Sequence, residues 1–366
     1  MRLRLSGVRR SRLVRSASLF ALVPSVLAAC GSSSSVSSSS SSPASSVPAS
    51  SAQTTVTIGY QNLGADPQAV VEAQNLFQKY IHAKVKLREF ASGPDALPAL
   101  ASGAIQFMTG LGNPPVATAI LHGLPVKVIW TQERYTSDEG LVVPKGSPIH
   151  SLKDLSGVSV AVVLGSTSTL ALSAGLAAAG INQNSVHLVN MTPPAIQSAW
   201  STGSLKAAYT WDPFFDYMVE HGGRVIMTDG QVSSIAPIFN LTVVNSRWAA
   251  NHAALVRDFV RAEEAGVQAY QSAPTKAIAD MAKVTGISTG LAQREMQGYE
   301  IYDLKAQVSS SGMGEGGSEK TSLVVKGLDL AAKQLIASGS AAGPVPNMTN
   351  FVDPSYAAAV LEKAQG

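Results

Sequence analysis

Two places in the chain combine glycine, small polar residues and the start of an apolar helical segment, which is the pattern of an anion site. Gly112-Asn113 precedes Pro114, and proline favours the first turn of a helix. The segment Gly165-Ser166-Thr167-Ser168 precedes a second apolar helix. A helix start presents unpaired backbone N–H groups and a partial positive charge, so it can bind a small anion without a basic side chain. Asn113 and Thr167 could equally be ordinary N-caps.

Gln61 is a third candidate for the same kind of site. It follows an apolar strand and precedes the turn Asn62-Leu63-Gly64. Its side-chain amide could donate to an oxygen of a small anion, or it could stabilise the turn.

Most catalytic and metal-binding motifs are missing from the sequence. It contains no H-E-x-x-H, no G-x-S-x-G and no Walker A segment. Gly312, Gly314 and Gly317 match G-x-G-x-x-G by letter, but no strand leads into them and no helix follows. The histidines show no metal-ligand spacing; they are His82, His122, His150, His187, His221 and His252. We therefore predict no metal, no cofactor and no catalytic residue.

The start of the chain has the pattern of an export signal. Six arginines and no acidic residue lie among the first fifteen residues, and an apolar stretch, Ala17 to Val26, follows. Small residues then lead to the only cysteine, in Leu27-Ala28-Ala29-Cys30. This ending resembles the lipobox of bacterial lipoproteins, which implies a signal peptide over 1–29 and a lipid on Cys30. The alternatives are an ordinary secretory signal or a spanning helix, which would need roughly 20 apolar residues.

Composition argues against nucleic acid as a partner. Of the 27 basic residues, six lie in the signal, so 21 remain against 24 acidic residues and the charge becomes −3. With Cys30 acylated, no thiol is left for disulfides or thiolate chemistry. Residues 30–53 are mostly Ser, Pro, Ala and Val, which predicts a flexible tether. The remaining roughly 310 residues are enough for two lobes with buried cores.

From Thr54 onward, short apolar runs alternate with amphipathic segments as far as Val244, and the rest of the chain has helical periodicity. The alternation predicts an α/β fold with mainly parallel sheets. We expect one lobe over 54–141 plus 242–366 and a second over 142–241, with hinge crossings near Leu141 and Leu241. Ligands of such folds bind outside the carboxyl ends of strands, here in the cleft between the lobes.

Several phrases together resemble the nitrate/sulfonate/taurine group of ABC-transporter substrate-binding proteins, which have the two-lobe type II periplasmic-binding-protein fold. The resemblance covers about residues 55 to 305. It rests on Tyr60-Gln61, Ala99-Leu100-Ala101-Ser102-Gly103, Gly112-Asn113-Pro114-Pro115, Glu139-Gly140-Leu141-Val142-Val143, Ser151-Leu152-Lys153-Asp154-Leu155-Ser156-Gly157, Gly165-Ser166-Thr167-Ser168, Pro193-Pro194-Ala195-Ile196 and Ala208-Tyr209-Thr210-Trp211-Asp212-Pro213.

The resemblance implies two hinge crossings, a helical C-terminal region and a non-enzymatic, monomeric receptor. The receptor would capture taurine or a related alkanesulfonate outside the cytoplasmic membrane and deliver it to an ABC permease with its ATPase. Nitrate and glycine betaine are alternative ligands. The implied ligand-binding residues are Gln61, Gly112, Asn113, Glu139, Ser166, Thr167, Ser168, Trp211, Asp212 and Asn240.

A taurine-like ligand also carries an ammonium, which needs a carboxylate or an aromatic face when buried. Glu139 and Asp212 are the available acids, and Trp211, Tyr60 and Tyr135 are the available rings. Taurine-binding relatives are similar here but place an acid where this chain has Asn240, whose neutral amide does not compensate the charge. That difference favours a sulfonate with an uncharged tail or another zwitterion. Asp212 could instead cap the helix at Pro213, Glu139 could lie at a solvated strand edge, and Trp211 could be core.

Two other functions share this fold. The superfamily includes enzymes that make a thiamine pyrimidine with a cysteine-rich iron motif, and the lack of any cysteine after Cys30 argues against that chemistry. A ligand-sensing subunit of a signalling system is the second alternative.

Overall fold

The computed structural model describes residues 54–315 and 318–365. The predicted signal peptide, the tether and Cys30 lie outside the described residues. The strands are β1 (Thr55–Tyr60), β2 (Lys84–Glu89), β3 (Phe107–Gly112), β4 (Val126–Tyr135), β5 (Glu139–Pro144), β6 (Ser159–Val162), β7 (His187–Asn190), β8 (Ala208–Trp211), β9 (Gly223–Thr228), β10 (Phe239–Asn245) and β11 (Tyr299–Ile301).

The α-helices lie between these strands and along the C-terminal third of the chain. They are α1 (Pro67–Ala73), α2 (Leu76–Tyr80), α3 (Gly93–Ser102), α4 (Asn113–Leu121), α5 (Thr167–Ala178), α6 (Pro193–Ser201), α7 (Phe214–Glu220), α8 (Ser246–Ala249), α9 (Ala253–Ser272), α10 (Pro274–Thr285), α11 (Thr289–Gln297), α12 (Leu304–Val308), α13 (Leu323–Ala337) and α14 (Ser355–Gln365). None of them, in the part of the chain that the structure describes, is long and apolar enough to cross a membrane.

The strands form two sheets. The first has the order β11-β4-β10-β3-β1-β2, and the second has the order β7-β6-β8-β5-β9. β1 pairs in parallel with β2 and β3, and β6 pairs in parallel with β7 and β8. β10 runs antiparallel to β3 and β4, and β5 runs antiparallel to β8 and β9. The structure is therefore the predicted two-sheet α/β architecture. The prediction of mainly parallel sheets is wrong, because both sheets are mixed and β5, β10 and β11 run antiparallel to their neighbours.

The chain passes from the first sheet to the second between β4 and β5, over residues 136–138, and returns between β9 and β10, over 229–238. The sequence analysis placed these crossings near Leu141 and Leu241. Both residues instead lie inside strands, Leu141 in β5 and Leu241 in β10, and both are fully buried. The apolar runs at these positions are strand cores, so the passage occurs in the more polar segments just before them.

The apolar periodicity of residues 67–81 predicts one helix, but the structure has two, α1 and α2. Asp66 caps α1 by accepting a hydrogen bond from the backbone N–H of Ala69 at 2.7 Å. Asn75 then adopts the left-handed conformation with φ 53°, which interrupts the helix, and asparagine is one of the few residues that tolerate it. The apolar periodicity continues through the break, so the sequence pattern did not reveal it.

The C-terminal helices pack onto the first sheet and its helices. α9 contacts α1 and α2, α13 contacts α4, and α14 contacts α9 and β4. Phe259 of α9 stacks on Phe107 of β3 with ring centroids 4.3 Å apart, and on Phe77 of α2 with ring centroids 5.1 Å apart. The sequence analysis did not predict β11, a short strand that pairs with β4 at the edge of the first sheet.

Candidate ligand-binding site

A narrow cavity lies between the two sheets, where β3 and β8 end. Its volume is about 10 Å³, roughly the space that one water molecule needs. The two walls therefore lie close together, so a ligand headgroup would bind between them only after they separate. Its lining residues are Gln61, Leu63, Gly93, Pro94, Gly110, Gly112, Pro115, Tyr135, Ser166, Thr167, Trp211 and Asn240.

The start of α5 forms the second-sheet wall of this cavity. Its hydroxyls bond inward: Ser166 donates to the backbone oxygen of Val163 at 2.7 Å, and Thr167 donates to Glu139 at 3.0 Å. Ser168 also donates to Glu139. Within the described residues no side chain caps α5. The backbone N–H groups of its first turn are therefore available to an anion in the cavity.

The start of α4 lies on the opposite wall and offers fewer donors. Gly112 is its N-cap residue, and Pro114 and Pro115 occupy the next turn. Proline has no N–H, so only Asn113 can donate from the first three helical positions. The two helix starts that the sequence analysis treated as equivalent are therefore unequal, and most of the main-chain donors belong to α5.

The side chain of Asn113 is not brought into the cavity. Its amide nitrogen donates to the backbone oxygens of Pro237 and Gly327 at 3.2 and 3.1 Å, and its oxygen accepts from the N–H of Phe239 at 3.2 Å. Asn113 is fully buried. These bonds join α4 to β10 and α13, so the side chain has a structural role.

Gln61 and Trp211 both line the cavity and are largely buried. The side-chain amide of Gln61 donates to the backbone oxygen of Gly110. One of its two amide hydrogens is thus engaged, and the other remains for a ligand. Trp211 is the last residue of β8, so its ring lies at the carboxyl end of the second sheet.

Asn240 lies in the cavity wall on β10 and is held by two acceptors. Its amide nitrogen donates to Glu133 at 2.5 Å and to the hydroxyl of Tyr135 at 2.8 Å. Both amide hydrogens are used, so the carbonyl oxygen of Asn240 remains to accept from a ligand. An acceptor at this position favours a ligand that carries a donor such as an ammonium.

Sequence reasoning missed Glu133. This residue lies on β4, is fully buried, and has one carboxyl oxygen without a hydrogen-bond partner among the described residues. Burial raises the pKa of Glu133 well above its usual value, and the neighbouring carboxyls of Asp66 and Glu263 raise it further. The available signal was a charged residue in the segment Thr131-Gln132-Glu133, which continues an apolar strand predicted to lie in a sheet.

Glu139 lies beneath the α5 start rather than in the cavity lining. It accepts the hydroxyl bonds of Thr167 and Ser168 described above. Burial raises the pKa of Glu139 to about 8, with a further contribution from Asp229, while the two hydroxyl bonds lower it. Around neutral pH the carboxyl is therefore largely protonated, so it does not repel an anion held by α5.

Asp212 and Tyr60 also lie outside the cavity lining. One carboxyl oxygen of Asp212 accepts from the backbone N–H of Asp216 at 2.9 Å, at the start of α7, which is the capping role considered as an alternative. Tyr60 lines a separate pocket beside α1, together with Asp66, Glu72 and Glu89. The cavity instead brings Gln61, Gly112, Ser166, Thr167, Trp211, Asn240 and Tyr135 together.

This fold and its cavity between two sheets are those of a two-lobe periplasmic binding protein. The alkanesulfonate-binding protein SsuA from Xanthomonas axonopodis pv. citri, solved with bound MOPS, superposes with a TM-score of 0.68 at 20% identity, covering 82% of this chain and 98% of that one. The predicted fold class is thereby confirmed. The desulfurization enzyme DSZB has the same fold, with a TM-score of 0.61 at 15% identity, covering 85% of this chain and 99% of that one. The fold alone therefore does not decide between binding and catalysis.

The chain belongs to the NMT1-like family, whose model matches residues 49–286. The taurine-binding periplasmic protein of Escherichia coli strain K12 is 34% identical over 242 residues, which is 64% of this chain and 74% of that protein. A putative aliphatic sulfonates-binding protein of the same strain is 29% identical over 181 residues, 49% of this chain and 56% of that protein. The resemblance to the sulfonate and taurine group is confirmed by these relatives.

Proposed function

We propose that this chain is the substrate-binding component of an ABC importer and that it captures a small sulfonate, taurine or a related alkanesulfonate, outside the cytoplasmic membrane. The observation that carries the proposal is the uncapped start of α5 facing Gly112 across the narrow cavity. The named relatives bind taurine or aliphatic sulfonates, which supports the same ligand class.

Main-chain amides at the start of α5 hold the sulfonate oxygens, because the helix start concentrates N–H donors and partial positive charge. Trp211 and Tyr135 enclose the short carbon chain. The carbonyl oxygen of Asn240 accepts from an amino group at the far end of the ligand. Approach of the two sheets completes the cavity, and no covalent bond is made or broken.

Thermal unfolding and calorimetric titration of the purified protein test this function. Taurine and ethanesulfonate share the sulfonate and differ in the amino group, so the pair separates the two ends of the site. Nitrate and glycine betaine, which lack a sulfonate, serve as comparison ligands. We expect both sulfonates to bind and raise the unfolding temperature, with taurine the tighter ligand. Failure of every one of these compounds to bind would contradict the proposal.

Lipid attachment at Cys30 and delivery to a permease complete the proposal. The tether of residues 30–53 would allow the folded part to move close to the membrane while it remains anchored. Cys30→Ala should move the protein from the membrane fraction to the soluble extracytoplasmic fraction, and the wild-type N-terminus should carry the mass of a diacylglycerol. Deletion of an adjacent permease gene should abolish uptake of the bound sulfonate but leave binding intact. If deletion of this protein's own gene abolishes a transcriptional response to the sulfonate but leaves uptake intact, the protein serves sensing instead.

A further inference from the structure

A cluster of carboxylates lies apart from the cavity lining, where elements of both sheets meet. Asp212, directly after β8, Asp216 on α7 and Glu295 on α11 each place a carboxyl oxygen within 4.8 Å of the other two. α7 packs against β5, β8 and β9 of the second sheet, whereas α11 contacts β11 of the first. Asp212 and Asp216 lie four positions apart, but Glu295 lies 79 positions after Asp216, so sequence spacing could not reveal the trio.

Asp138 is a fourth carboxyl, outside this trio, that points at it. It lies in the crossing between β4 and β5, and its backbone oxygen accepts from the N–H of Asp212 at 3.0 Å. Its side chain contacts the carboxyl of Asp212. Asp138 is only 4% exposed, and its Oδ2 has no hydrogen-bond partner in residues 54–315 and 318–365.

Glu295 is likewise a buried carboxyl with one oxygen that has no partner among the described residues. It is 1% exposed, and one of its oxygens accepts from the N–H of Ala65 at 2.6 Å. Its other oxygen, Oε1, has no partner in the described part of the chain. Asp138 Oδ2 and Glu295 Oε1 are thus buried without a hydrogen-bond partner among the described residues. Leaving buried polar atoms unpaired is costly unless another group supplies the partner.

Arg294 contacts this cluster but does not neutralise the charge of its carboxylates. Arg294 lies 3.6 Å from Asp216 but 2.6 Å from Glu220, and its side chain is 54% exposed. Burial raises the pKa values of Asp138 and Asp212 far above their usual range, and that of Glu295 to about 8.

We propose that Asp138, Asp212, Asp216 and Glu295 form a binding site for a divalent cation of the Ca²⁺ type. The donor set contains only oxygens, which hard cations prefer. Carboxyl oxygens this close to one another could contact one ion at the Ca²⁺–oxygen distance of about 2.3–2.6 Å. The sequence analysis predicted no metal site, because Glu295 is distant in the chain from Asp212 and Asp216.

A cation at this position links the second sheet to α11 and so stabilises the arrangement in which the two sheets approach each other. If the proposed sulfonate function holds, cation binding and sulfonate binding should strengthen each other, because both favour that arrangement. The cation site itself does not depend on the sulfonate.

Terbium luminescence tests the site directly. Tb³⁺ replaces Ca²⁺ at oxygen sites and emits when a nearby excited aromatic ring transfers energy to it, and Trp211 adjoins Asp212 in sequence. We expect excitation of the purified, chelator-treated protein to give saturable Tb³⁺ emission that Ca²⁺ displaces. Asp212→Asn and Glu295→Gln should each weaken the apparent affinity by at least about tenfold. Asp280→Asn, at a half-buried carboxylate on α10 that pairs with Lys276, is the control and should leave the affinity unchanged.

The unfolding temperature, measured with and without Ca²⁺, gives a second test of the site that does not depend on Tb³⁺ emission. Ca²⁺ should raise the unfolding temperature of the wild type and of Asp280→Asn, but not that of Glu295→Gln. Glutamine can still accept the N–H of Ala65, so this variant should fold. The proposal is overturned if millimolar Ca²⁺, Mg²⁺ and Mn²⁺ all leave the wild type unchanged, or if the variants bind Tb³⁺ as tightly as the wild type. Sulfonate binding measured in EDTA shows separately whether the proposed function stands.

Discussion

Gly112 and Thr167 meet across the cleft between the two sheets. A Cβ atom placed on Gly112 would lie 2.6 Å from Cγ2 of Thr167, closer than any real contact of this kind. The φ angle of Gly112 is −57°, which any residue can adopt. Glycine is therefore needed here because the two helix starts approach so closely, and not because of the backbone conformation.

Gly112→Ala should prevent the sheets from closing fully over a ligand. We expect calorimetric titration to show at least about a tenfold loss of sulfonate affinity, equivalent to about 1.4 kcal/mol. Adding Thr167→Ser removes the clashing methyl group but keeps the hydroxyl that bonds Glu139, so the double variant should regain most of the affinity. Gly290→Ala, where the space around the glycine is open, is the control. Wild-type affinity in Gly112→Ala would refute this role for the close approach.

Asn113→Ala should reduce stability much more than it reduces ligand affinity. The substitution leaves the buried N–H of Phe239 without its acceptor, which costs about 1–3 kcal/mol, and removes one donor from the carbonyl oxygens of Pro237 and Gly327. We expect urea unfolding to show a loss of about 2–4 kcal/mol, with sulfonate affinity within about twofold of wild type in the folded fraction. Asn184→Ala, on the surface, should change neither quantity. A large loss of affinity in a stable Asn113→Ala protein would mean that the side chain binds the ligand.

Glu133→Gln should alter the discrimination between taurine and ethanesulfonate. Glu133 holds the amide of Asn240 in the orientation that presents its oxygen to the cavity. Burial raises the pKa of Glu133, and a bound ammonium nearby would favour loss of that proton, which the neutral amide of glutamine cannot provide. Taurine affinity should fall by about tenfold, a loss of about 1.4 kcal/mol, while ethanesulfonate affinity stays nearly constant. The exposed Glu89→Gln serves as control. Equal losses for the two ligands would show that the substitution disturbs packing instead.

Asp66→Asn should gain stability relative to the wild type as the pH rises. Burial raises the pKa of Asp66 from 3.8 to about 7, against the hydrogen bond from Ala69 that lowers it. Between these values the folded protein keeps a proton that the unfolded chain releases, so ionisation destabilises the wild type as the pH rises towards about 7. Asparagine can still cap α1 and has no such titration.

The Asp66→Asn advantage should be absent near pH 4 and should reach at most about 4 kcal/mol near pH 8. Chemical denaturation of both proteins across this range measures it. The carboxyls that act on this part of the interior are Glu72, Glu133, Glu263 and Glu295, and they titrate in both proteins. A constant difference between the two proteins at all pH values would contradict the raised pKa.

The sequence predicted the α/β fold and the two helix starts because both leave local marks: alternating apolar runs, and small polar residues before a helix. Thr167 and Gly112 were found in this way. The crossings near Leu141 and Leu241 were displaced by a few residues, because a buried strand has the same apolar run whichever sheet it joins. The break at Asn75 depends on a single backbone angle, which the periodicity around it does not report.

The partners of the site residues could not be predicted from spacing. Glu133 meets Asn240 only because β4 and β10 pair in the first sheet, and Asp212 meets Glu295 only because α7 and α11 approach each other. Each of these contacts joins residues that lie 83 or more positions apart in the chain, so each depends on tertiary packing. Asn113 shows the converse case, since a residue typical of a helix cap turned out to tie three elements together.

The paired prolines at the start of α4 impose an order on ligand release. In the proposed binding mode, Pro114 and Pro115 remove donors from one wall, so a sulfonate headgroup would be held by α5 and would move with that half of the molecule when the halves separate. The wall around Asn240 would then leave the ligand first, and the amino end would be the first part exposed to the proposed permease. Replacing both prolines would add main-chain donors to the α4 wall. Both walls would then hold the headgroup, and the ligand would leave the α4 wall later.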